Sequence, residues 1–229
     1  MFDYGEACPV SMATSVLCER WTLQIVRELF LGCTRYSEIQ KFIPNISPSL
    51  LRNRLRFLEQ EGVILRKKAT GGERYEYHLT PAGKALGPVL TELGRWGMRH
   101  ANAGMTDNQN TAAGLVRDLA GAIDLDELPS GDTVIQINLT DVEEKEKRFI
   151  NVRNGEAQDC SQDLGFEVDV YITSTLPVMT KIWYGEIKLG SAVDEGLVKV
   201  VGPPHYLRNL SSWLRVSGFV RNEGQFTAP

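Results

Sequence analysis

A stretch with clear helix start and stop signals, Ser47 to Gly62, constrains the fold of this chain more than any other. Ser47 is a residue type that caps helix N-termini, and Pro48 fits the first helical turn, where no amide donor is lost. Gly62 favours the left-handed backbone conformation that ends many helices. The segment between these signals therefore predicts a helix with well-defined ends.

The two sides of this predicted helix differ in chemistry. Leucines at 51, 55 and 58 recur at helical spacing, so one side is expected to pack into a core. Arg and Asn can form paired hydrogen bonds to guanine and adenine edges, and an α-helix fits the major groove of DNA. An amphipathic surface helix with solvated arginines has the same pattern. The predicted base-reading residues on the polar side are Ser49, Arg52, Asn53 and Arg56.

The neighbouring segments favour the DNA-reading interpretation. Residues 35–43 predict a short amphipathic helix, and two helices separated by a tight turn form a helix-turn-helix. Residues 63–69 and 73–80 predict two strands joined by a hairpin turn at Gly71 and Gly72. This hairpin is a wing, and its basic side chains flank the reading helix, where they can hold phosphates. The predicted phosphate contacts are Ser37, Arg66, Lys67, Lys68 and Arg74.

Further helices are predicted on both sides of this motif. The dense apolar pattern of residues 11–32 predicts a buried helix pair or one broken helix. Another helix is predicted from Thr80, with Pro81 in its first turn, to His100. The apolar face of that last helix has no partner within a small winged domain. The residues of this face are Leu86, Val89, Leu90, Leu93 and Trp96.

The net charge of −4 hides an uneven distribution along the chain. Residues 1–103 carry 14 Lys and Arg against 10 Asp and Glu, a net charge of +4. Residues 104–229 carry 11 against 19, a net charge of −8. Phosphate attracts the first half and repels the second. The sequence therefore predicts that only the N-terminal half meets DNA.

Other chemistry is not indicated by the sequence. The four cysteines form no CxxC pair and lack the histidine spacing of a zinc site, which fits a reducing cytoplasm. No signal segment opens the chain, and no apolar run reaches membrane-spanning length. His78, His100 and His205 are scattered, without a carboxylate pair, a nucleophile or a phosphate loop beside them. Neither an enzyme, a metal nor a cofactor is predicted.

Taken together, these motifs resemble the HxlR family of bacterial winged helix-turn-helix transcriptional regulators, which are relatives of the MarR group. The resemblance rests on CPVSMA at 8–13, ERWTLQIVRELFLG at 19–32, RYSEIQKFIPNISPSLLRNRLRFLEQEGVI at 35–64 and YEYHLTPAGKAL at 75–86. It implies a homodimer joined through the first and last helices of the domain, which agrees with the partnerless apolar face. Such a dimer places two reading helices in successive major grooves of palindromic double-stranded DNA.

The resemblance also draws attention to Cys8. The family usually has a Cys-Pro-Val near its N-terminus, and in some members this thiol senses oxidants or electrophiles. Pro9 predicts that Cys8 lies at a helix start, where unpaired amides and the helix dipole lower the pKa of a thiol. The alternative is a packed, unreactive cysteine near the dimer interface.

A polar segment without periodicity, residues 104–112, predicts a linker to a second domain at 113–229. This domain begins with a predicted helix at 114–128, and the charged run at 143–148 predicts a solvated hairpin tip. A meander of strands and two further helices are expected. The strands are predicted at 133–141, 148–155 and 167–176, with a third apolar set at 196–203, and the helices at 176–186 and 204–219.

The second half resembles the sterol-carrier-protein type of domain through residues 169–214. That resemblance implies an α+β fold with a lipid-sized apolar cavity, partly enclosed by the helix after the sheet. Ordinary core packing is the alternative for each wall residue. The expected cavity residues, taken from the resemblance and from helical spacing, are Met179, Ile182, Trp183, Leu207, Leu210, Trp213 and Leu214.

The chain is thus predicted to be a two-domain protein of mixed α and β structure. The domain at 1–103 is a winged helix-turn-helix, mostly α with a β wing, and the domain at 113–229 is α+β and sterol-carrier-like. The expected function is sequence-specific transcriptional regulation in response to a small apolar or lipid-like effector. Two alternatives stay open: a thiol-based redox regulator acting through Cys8, and a carrier of hydrophobic ligands.

Overall fold

The structure of the chain, a computed structural model, describes residues 5–69, 74–101, 111–142, 148–160 and 165–220. These residues form two compact units that divide between residues 96 and 97. The division precedes the boundary predicted at residue 103. Most of the predicted linker lies outside the described residues, and its last residue, Ala112, already belongs to a helix that Thr111 caps.

The N-terminal unit has the element order of a winged helix-turn-helix, as the sequence predicts. The helices and strands are α1 Pro9–Leu17, α2 Thr22–Phe30, α3 Tyr36–Phe42, α4 Pro48–Gln60, β1 Ile64–Lys68, β2 Tyr75–Leu79, α5 Pro81–Lys84 and α6 Gly87–His100. The division between the units falls inside α6. The dense apolar segment forms a helix pair rather than one broken helix, but the prediction of burial holds for α2 and is wrong for α1, whose one buried residue is Ser15.

The core of this unit lies among α2, α3 and α4. Ile25 and Val26 of α2, Ile39 of α3, and Leu51 and Leu58 of α4 are completely buried. In α4 the buried leucines 51, 55 and 58 recur every three or four residues, so this helix turns one apolar face inward. The leucine face of α4 therefore fixes the direction of its opposite, polar face.

The single helix predicted from Thr80 to His100 is wrong, because the structure has two helices there. α5 is a single turn, and Gly83 within it approaches the Val63 carbonyl so closely that a Cβ would lie 2.1 Å from that oxygen. Pro88, in the first turn of α6, has no amide hydrogen with which to continue the hydrogen bonds of α5. The break therefore follows from Pro88 and from the packing of α5 against Val63.

The wing is the antiparallel pair of β1 and β2, in which Ile64 faces Leu79 and Lys68 faces Tyr75. The Ala69 amide extends the ladder by donating to the Arg74 carbonyl over 2.8 Å. The predicted turn at Gly71 and Gly72 lies outside the described residues.

The C-terminal unit contains a five-stranded sheet of order β5-β4-β3-β6-β7. β3 and β6 are parallel neighbours, and every other pair is antiparallel, so the sheet is not the simple meander that was expected. The elements are α7 Ala112–Gly121, β3 Thr133–Leu139, β4 Arg148–Arg153, β5 Glu156–Cys160, β6 Val170–Ser174, α8 Leu176–Trp183, α9 Leu189–Asp194, β7 Lys199–Val201, α10 Pro204–Arg208 and α11 Leu210–Trp213.

Two predicted helices of this unit are wrong, two elements were missed, and one prediction is not tested. The helix predicted at 114–128 begins at Ala112 and ends at Gly121. The strand β5 and the helix α9 were not predicted. The closing helix at 204–219 is two short helices, because the Tyr206 carbonyl accepts a hydrogen bond from the Trp213 indole at 2.9 Å and α10 ends at Arg208. The charged run predicted as a hairpin tip lies almost wholly outside the described residues.

One face of this sheet forms the core of the C-terminal unit. Ile135, Ile150 and Ile172 lie on the three central strands and are completely buried. Apolar side chains of α7, α8 and α11 pack against that face. The unit is therefore an α+β arrangement. None of the helices in the described part of the chain is long and apolar enough to cross a membrane.

Candidate nucleic-acid interface

The reading helix α4 begins and ends as its sequence predicts. The Ser47 hydroxyl accepts a hydrogen bond from the Leu50 amide at 3.3 Å, and Gly62 has a φ of +70° just beyond the C-terminus. Helix starts are stabilised by such caps, and glycine adopts a positive φ without the clash that a Cβ causes. The four predicted base-reading side chains are all exposed on one side of this helix: Ser49, Arg52, Asn53 and Arg56.

Two side chains of α3 hold the turn before the reading helix. The Tyr36 hydroxyl donates to the Pro48 carbonyl over 2.8 Å, and the Gln40 amide donates to the Ile46 carbonyl over 2.8 Å. These two bonds therefore fix the angle between α3 and α4 from the polar side, in addition to the core packing.

Arg54 attaches the middle of α4 to the loop between α1 and α2. Its Nε donates to the Arg20 carbonyl over 3.1 Å, and its Nη2 donates to the Glu19 carboxylate. Both side chains of the ion pair are largely buried. Sequence reasoning did not single out this arginine. Its position between the two faces of the helix was the available signal.

The start of α3 links the helix-turn-helix to the wing. The Glu38 carboxylate accepts the amides of Thr34 and Arg35, each at 2.9 Å. The Thr34 carbonyl in turn accepts the Tyr77 amide of β2 over 2.8 Å. Ser37, a predicted phosphate contact in the first turn of α3, is exposed beside this junction.

The four basic residues predicted to contact phosphate from the wing are exposed on or beside its strands. The Arg66 guanidinium lies 3.5 Å from the centre of the Tyr75 ring. Tyr75 is on the opposite strand, two residues before Tyr77, which pairs directly with Arg66. Stacking of this kind orients a guanidinium while leaving its hydrogen-bond donors accessible. Lys67, Lys68 and Arg74 complete the predicted basic set. The structure thus brings the predicted DNA contacts onto exposed surfaces of α3, α4 and the wing.

Cys8 lies at the N-cap of α1, where the sequence placed it. The Ser11 amide, then the Val10 amide and the Ser11 hydroxyl, lower the pKa of the Cys8 thiol. The thiol is half-buried and forms no disulfide. Donors of this kind stabilise the thiolate, which is the reactive form.

An apolar surface is exposed on the first and last helices of the unit. Trp96 of α6 is 58% exposed, although a large aromatic ring of a soluble protein is usually covered. Its companions on α1 and α6 are Val10, Met12, Val89 and Leu93, each at least 46% exposed. We refer to these five residues as the α1/α6 apolar surface.

Six of the seven predicted cavity residues of the C-terminal unit are buried in its core: Met179, Ile182, Trp183, Leu210, Trp213 and Leu214. Leu207 is different, because 38% of it is exposed on α10, so it is not one of the core residues.

An open groove of about 810 Å³ lies beside α9 and α11. Of the predicted cavity residues it contacts only Leu214, and its lining mixes apolar, hydroxyl and charged side chains, among them Lys188, Ser191, Asp194 and Arg215. Arg215 is paired there with Asp124. No group of three or more metal-ligating side chains occurs in the described part of the chain.

Part of the chain is similar to known proteins. The profile of the HxlR-like helix-turn-helix family matches residues 16–105. Over 96 residues the chain is 42% identical to the uncharacterized HTH-type transcriptional regulator YvaP of Bacillus subtilis, a match that covers 41% of this chain and 89% of that protein. It is 34% identical over 97 residues to the uncharacterized HTH-type transcriptional regulator sll1512 of Synechocystis, a match that covers 42% of this chain and 72% of that protein. The chain is also similar to the solved structure of the reduced form of YodB, a transcriptional regulator from B. subtilis. The sequence identity is 34% and the TM-score is 0.39, over 43% of this chain and 99% of YodB.

Proposed function

Because this chain belongs to the HxlR-like helix-turn-helix family of transcriptional regulators, we propose that its N-terminal unit binds a specific DNA sequence. The observation that carries the proposal is the exposed row of Ser49, Arg52, Asn53 and Arg56 on a helix whose other face is fixed in the core. A rigid helix with outward Arg and Asn side chains matches the hydrogen-bonding pattern of base edges in the major groove.

The proposed DNA contacts are of two kinds, contacts to bases and contacts to phosphates. The side chains of α4 read base edges, whereas Ser37 and the basic residues of the wing hold phosphates. Phosphate contacts position a protein on DNA without reading its sequence. The net charge of +4 over residues 1–103 supports this division.

A second copy of the chain is the partner that this mode of binding requires. The α1/α6 apolar surface supports a homodimer, since exposed apolar patches of this kind are typical of subunit contacts. A two-fold axis places two reading helices on the two halves of a palindromic operator. The monomer alone would read only one half-site.

The test begins with selection of a preferred site from random DNA duplexes by the purified full-length protein. Single-base variants of that site are then compared for wild type, Arg52→Ala and Lys68→Ala. We expect Arg52→Ala to lose roughly 5- to 150-fold of discrimination at one base position, the equivalent of about 1–3 kcal/mol for a bidentate contact. Lys68→Ala should weaken all sequences alike and reduce the salt slope by about one. A uniform loss with Arg52→Ala would contradict base reading by this residue.

We also propose that the C-terminal unit binds a small apolar or lipid-like effector. Its α+β architecture and its resemblance to sterol-carrier domains support this role. The site that we propose is the open groove beside α9 and α11, where Leu189, Leu214 and Val216 lie among polar and charged side chains. An effector changes DNA affinity only if it binds one spacing of the two reading helices better than another.

Native mass spectrometry of the full-length protein, followed by solvent extraction, tests the effector proposal. A dimer that carries a stoichiometric small molecule would support it and would supply the compound for DNA-binding assays. An empty dimer that also takes up no fatty acid or sterol added in excess would refute it. Transfer of such a lipid between vesicles without operator binding would favour the carrier alternative.

The alternative signal is oxidation of Cys8, favoured by the lowered pKa of its thiol. The thiolate that reacts with an oxidant would lie at the start of α1, two residues before Val10 of the α1/α6 apolar surface, so its modification could alter subunit packing. Cys8→Ser should then abolish any oxidant-dependent release of DNA. Unchanged release in that variant would exclude Cys8 as the sensor.

A further inference from the structure

Tyr36 contacts the first turn of the reading helix in two different ways. It is the first residue of α3, and its hydroxyl donates to the Pro48 carbonyl of α4 over 2.8 Å. Its ring lies beneath the guanidinium of Arg52, 5.8 Å from the carbon of that group to the ring centre. In an α-helix the carbonyl of Pro48 is also the acceptor for the Arg52 amide. One side chain therefore holds both the backbone and the side chain of the same helical turn.

The ring contact matters because Arg52 is otherwise free to rotate. It is exposed, and no carboxylate of the described residues lies within ion-pair distance of it. A long side chain loses rotational freedom on binding, and a contact that holds it beforehand reduces that loss. Since an aromatic face attracts a guanidinium without occupying its hydrogen-bond donors, the donors of Arg52 stay available for a base.

The two other arginines of α4 have different surroundings. Arg54 is tied to Glu19 and to the Arg20 carbonyl, so it is unavailable to DNA. Arg56 is exposed, and the aromatic–cation contacts of the described residues do not include it. Arg52 is thus the arginine of the exposed row whose direction the protein sets before DNA arrives.

We infer that Tyr36 is a specificity-determining positioning residue, whose ring aims Arg52 at one base position while its hydroxyl holds the first turn of α4. This inference rests on the proposed function. It assigns to α3 a part in base discrimination without any contact between Tyr36 and a base. The ring and the hydroxyl make separable contributions, because substitution can remove one and leave the other.

Tyr36→Phe keeps the ring and removes the hydroxyl, whereas Tyr36→Leu removes both. With Phe, discrimination at the base position read by Arg52 should stay within about twofold of wild type, because the ring still supports the guanidinium. With Leu, discrimination at that position should fall roughly two- to fivefold, the range expected for an exposed cation–π contact. Tyr36→Gln provides a second variant without a ring, and it keeps a polar group on this half-buried site.

The experiment measures the affinities of these variants, of Arg52→Ala and of the Arg52→Ala/Tyr36→Leu double variant for the selected site and its single-base changes. The decisive comparison is the double variant. If Tyr36 acts through Arg52, Tyr36→Leu should cause no further loss at that base position once Arg52 is absent. A merely structural role would instead reduce affinity equally at every position and would persist in the double variant.

Several results would overturn the inference. The first is that Tyr36→Leu and Tyr36→Gln both keep the full discrimination of wild type. The second is that these variants lose affinity equally at all base positions. The third is that Arg52→Ala changes discrimination at no particular base position. Wild-type protein that selects no sequence from the random pool would instead refute the proposed function itself. The two failures are therefore distinguishable in one data set.

Discussion

Arg54 shows how closely structural and DNA-facing roles are interleaved on the reading helix. Arg52, Arg54 and Arg56 alternate along α4, yet only Arg54 points towards the loop between α1 and α2. An α-helix turns 100° per residue, so side chains two positions apart point in very different directions. The number of basic residues does not show which arginine is structural and which faces DNA. The hydrogen-bond and ion-pair partners of each arginine show it.

Removal of the Arg54 side chain should destabilise the N-terminal unit. Arg54→Ala leaves the largely buried Glu19 carboxylate and the Arg20 carbonyl without their donors. We expect the free energy of unfolding to fall by about 1–2 kcal/mol, the value for hydrogen bonds to a charged group after partial solvent screening. Arg56→Ala, on the exposed face, is the matched control and should change it by less than about 0.5 kcal/mol. Urea unfolding followed by circular dichroism measures both, and equal effects would contradict the anchoring role.

The pH dependence of alkylation tests the environment of Cys8. Because the Ser11 and Val10 amides lower the pKa of this thiol, its thiolate persists at lower pH than that of an ordinary cysteine. The rate of reaction with iodoacetamide at Cys8 should therefore rise at lower pH than it does for cysteine in an unstructured peptide. Peptide mapping by mass spectrometry across a pH series separates Cys8 from the other thiols. If the alkylation rate at Cys8 rose at the same pH as in the peptide, or at a higher pH, the lowered pKa of the Cys8 thiol would be contradicted.

At the scale of elements, the junction of α4, the wing and α5 depends on two glycines and one threonine. Gly62 takes the positive φ after α4, and the Thr80 hydroxyl donates to the Gly62 carbonyl over 2.6 Å. The same hydroxyl accepts the Gly83 amide at 3.1 Å and so caps α5. The base of the wing, where β1 begins and β2 ends, is therefore fixed next to the C-terminus of the reading helix.

Gly83→Ala tests this junction. A Cβ at this position would lie 2.1 Å from the Val63 carbonyl oxygen, so α5 must move away from the base of the wing. Overpacking of this kind costs roughly 1–3 kcal/mol. We expect a lower melting temperature and weaker DNA binding for all sequences. Ala82→Ser, at an exposed position of the same short helix, should leave both close to wild type.

Elements with strong periodicity and end signals were predictable from the sequence, and the others were not. α4 combines a cap, a proline, an apolar stripe and a terminal glycine, and its bounds follow directly. β5 reads EAQDC and lacks the alternation of apolar residues, because it is an edge strand that only its pairing with β4 defines. The break between α10 and α11 accompanies a tertiary contact of Trp213, which the sequence does not signal. The break between α5 and α6 was partly signalled by Pro88, whereas the packing of Gly83 against Val63 was not.

At the scale of the whole molecule, charge divides between the two halves of the sequence. The excess of basic residues precedes residue 104 and the excess of acidic residues follows it. The exposed row of α4 was predictable because surface and core residues of one helix differ in sequence. The partners of Arg54 and Tyr36 were not, since each contact joins segments whose spacing carries no periodic signal.

The α1/α6 apolar surface yields a prediction for the assembly. An exposed apolar face on a single chain becomes a subunit contact only if its burial outweighs the loss of translational and rotational freedom. A carboxylate placed at Leu93 would have to be desolvated in such a contact, which costs far more than the lost apolar area. Leu93→Asp should therefore convert a dimer into a monomer, while each monomer keeps its fold.

Leu207→Asp is the matched control, because Leu207 is also a partly exposed leucine but lies on α10 of the C-terminal unit. It should remain dimeric and bind the selected operator as wild type does. Leu93→Asp should lose most of its affinity for the full palindrome, since one reading helix engages only one half-site. Light scattering after size-exclusion chromatography gives the mass, and titration with full and half operators gives the affinities. A dimeric Leu93→Asp protein with unchanged affinity would locate the subunit contact elsewhere on the chain.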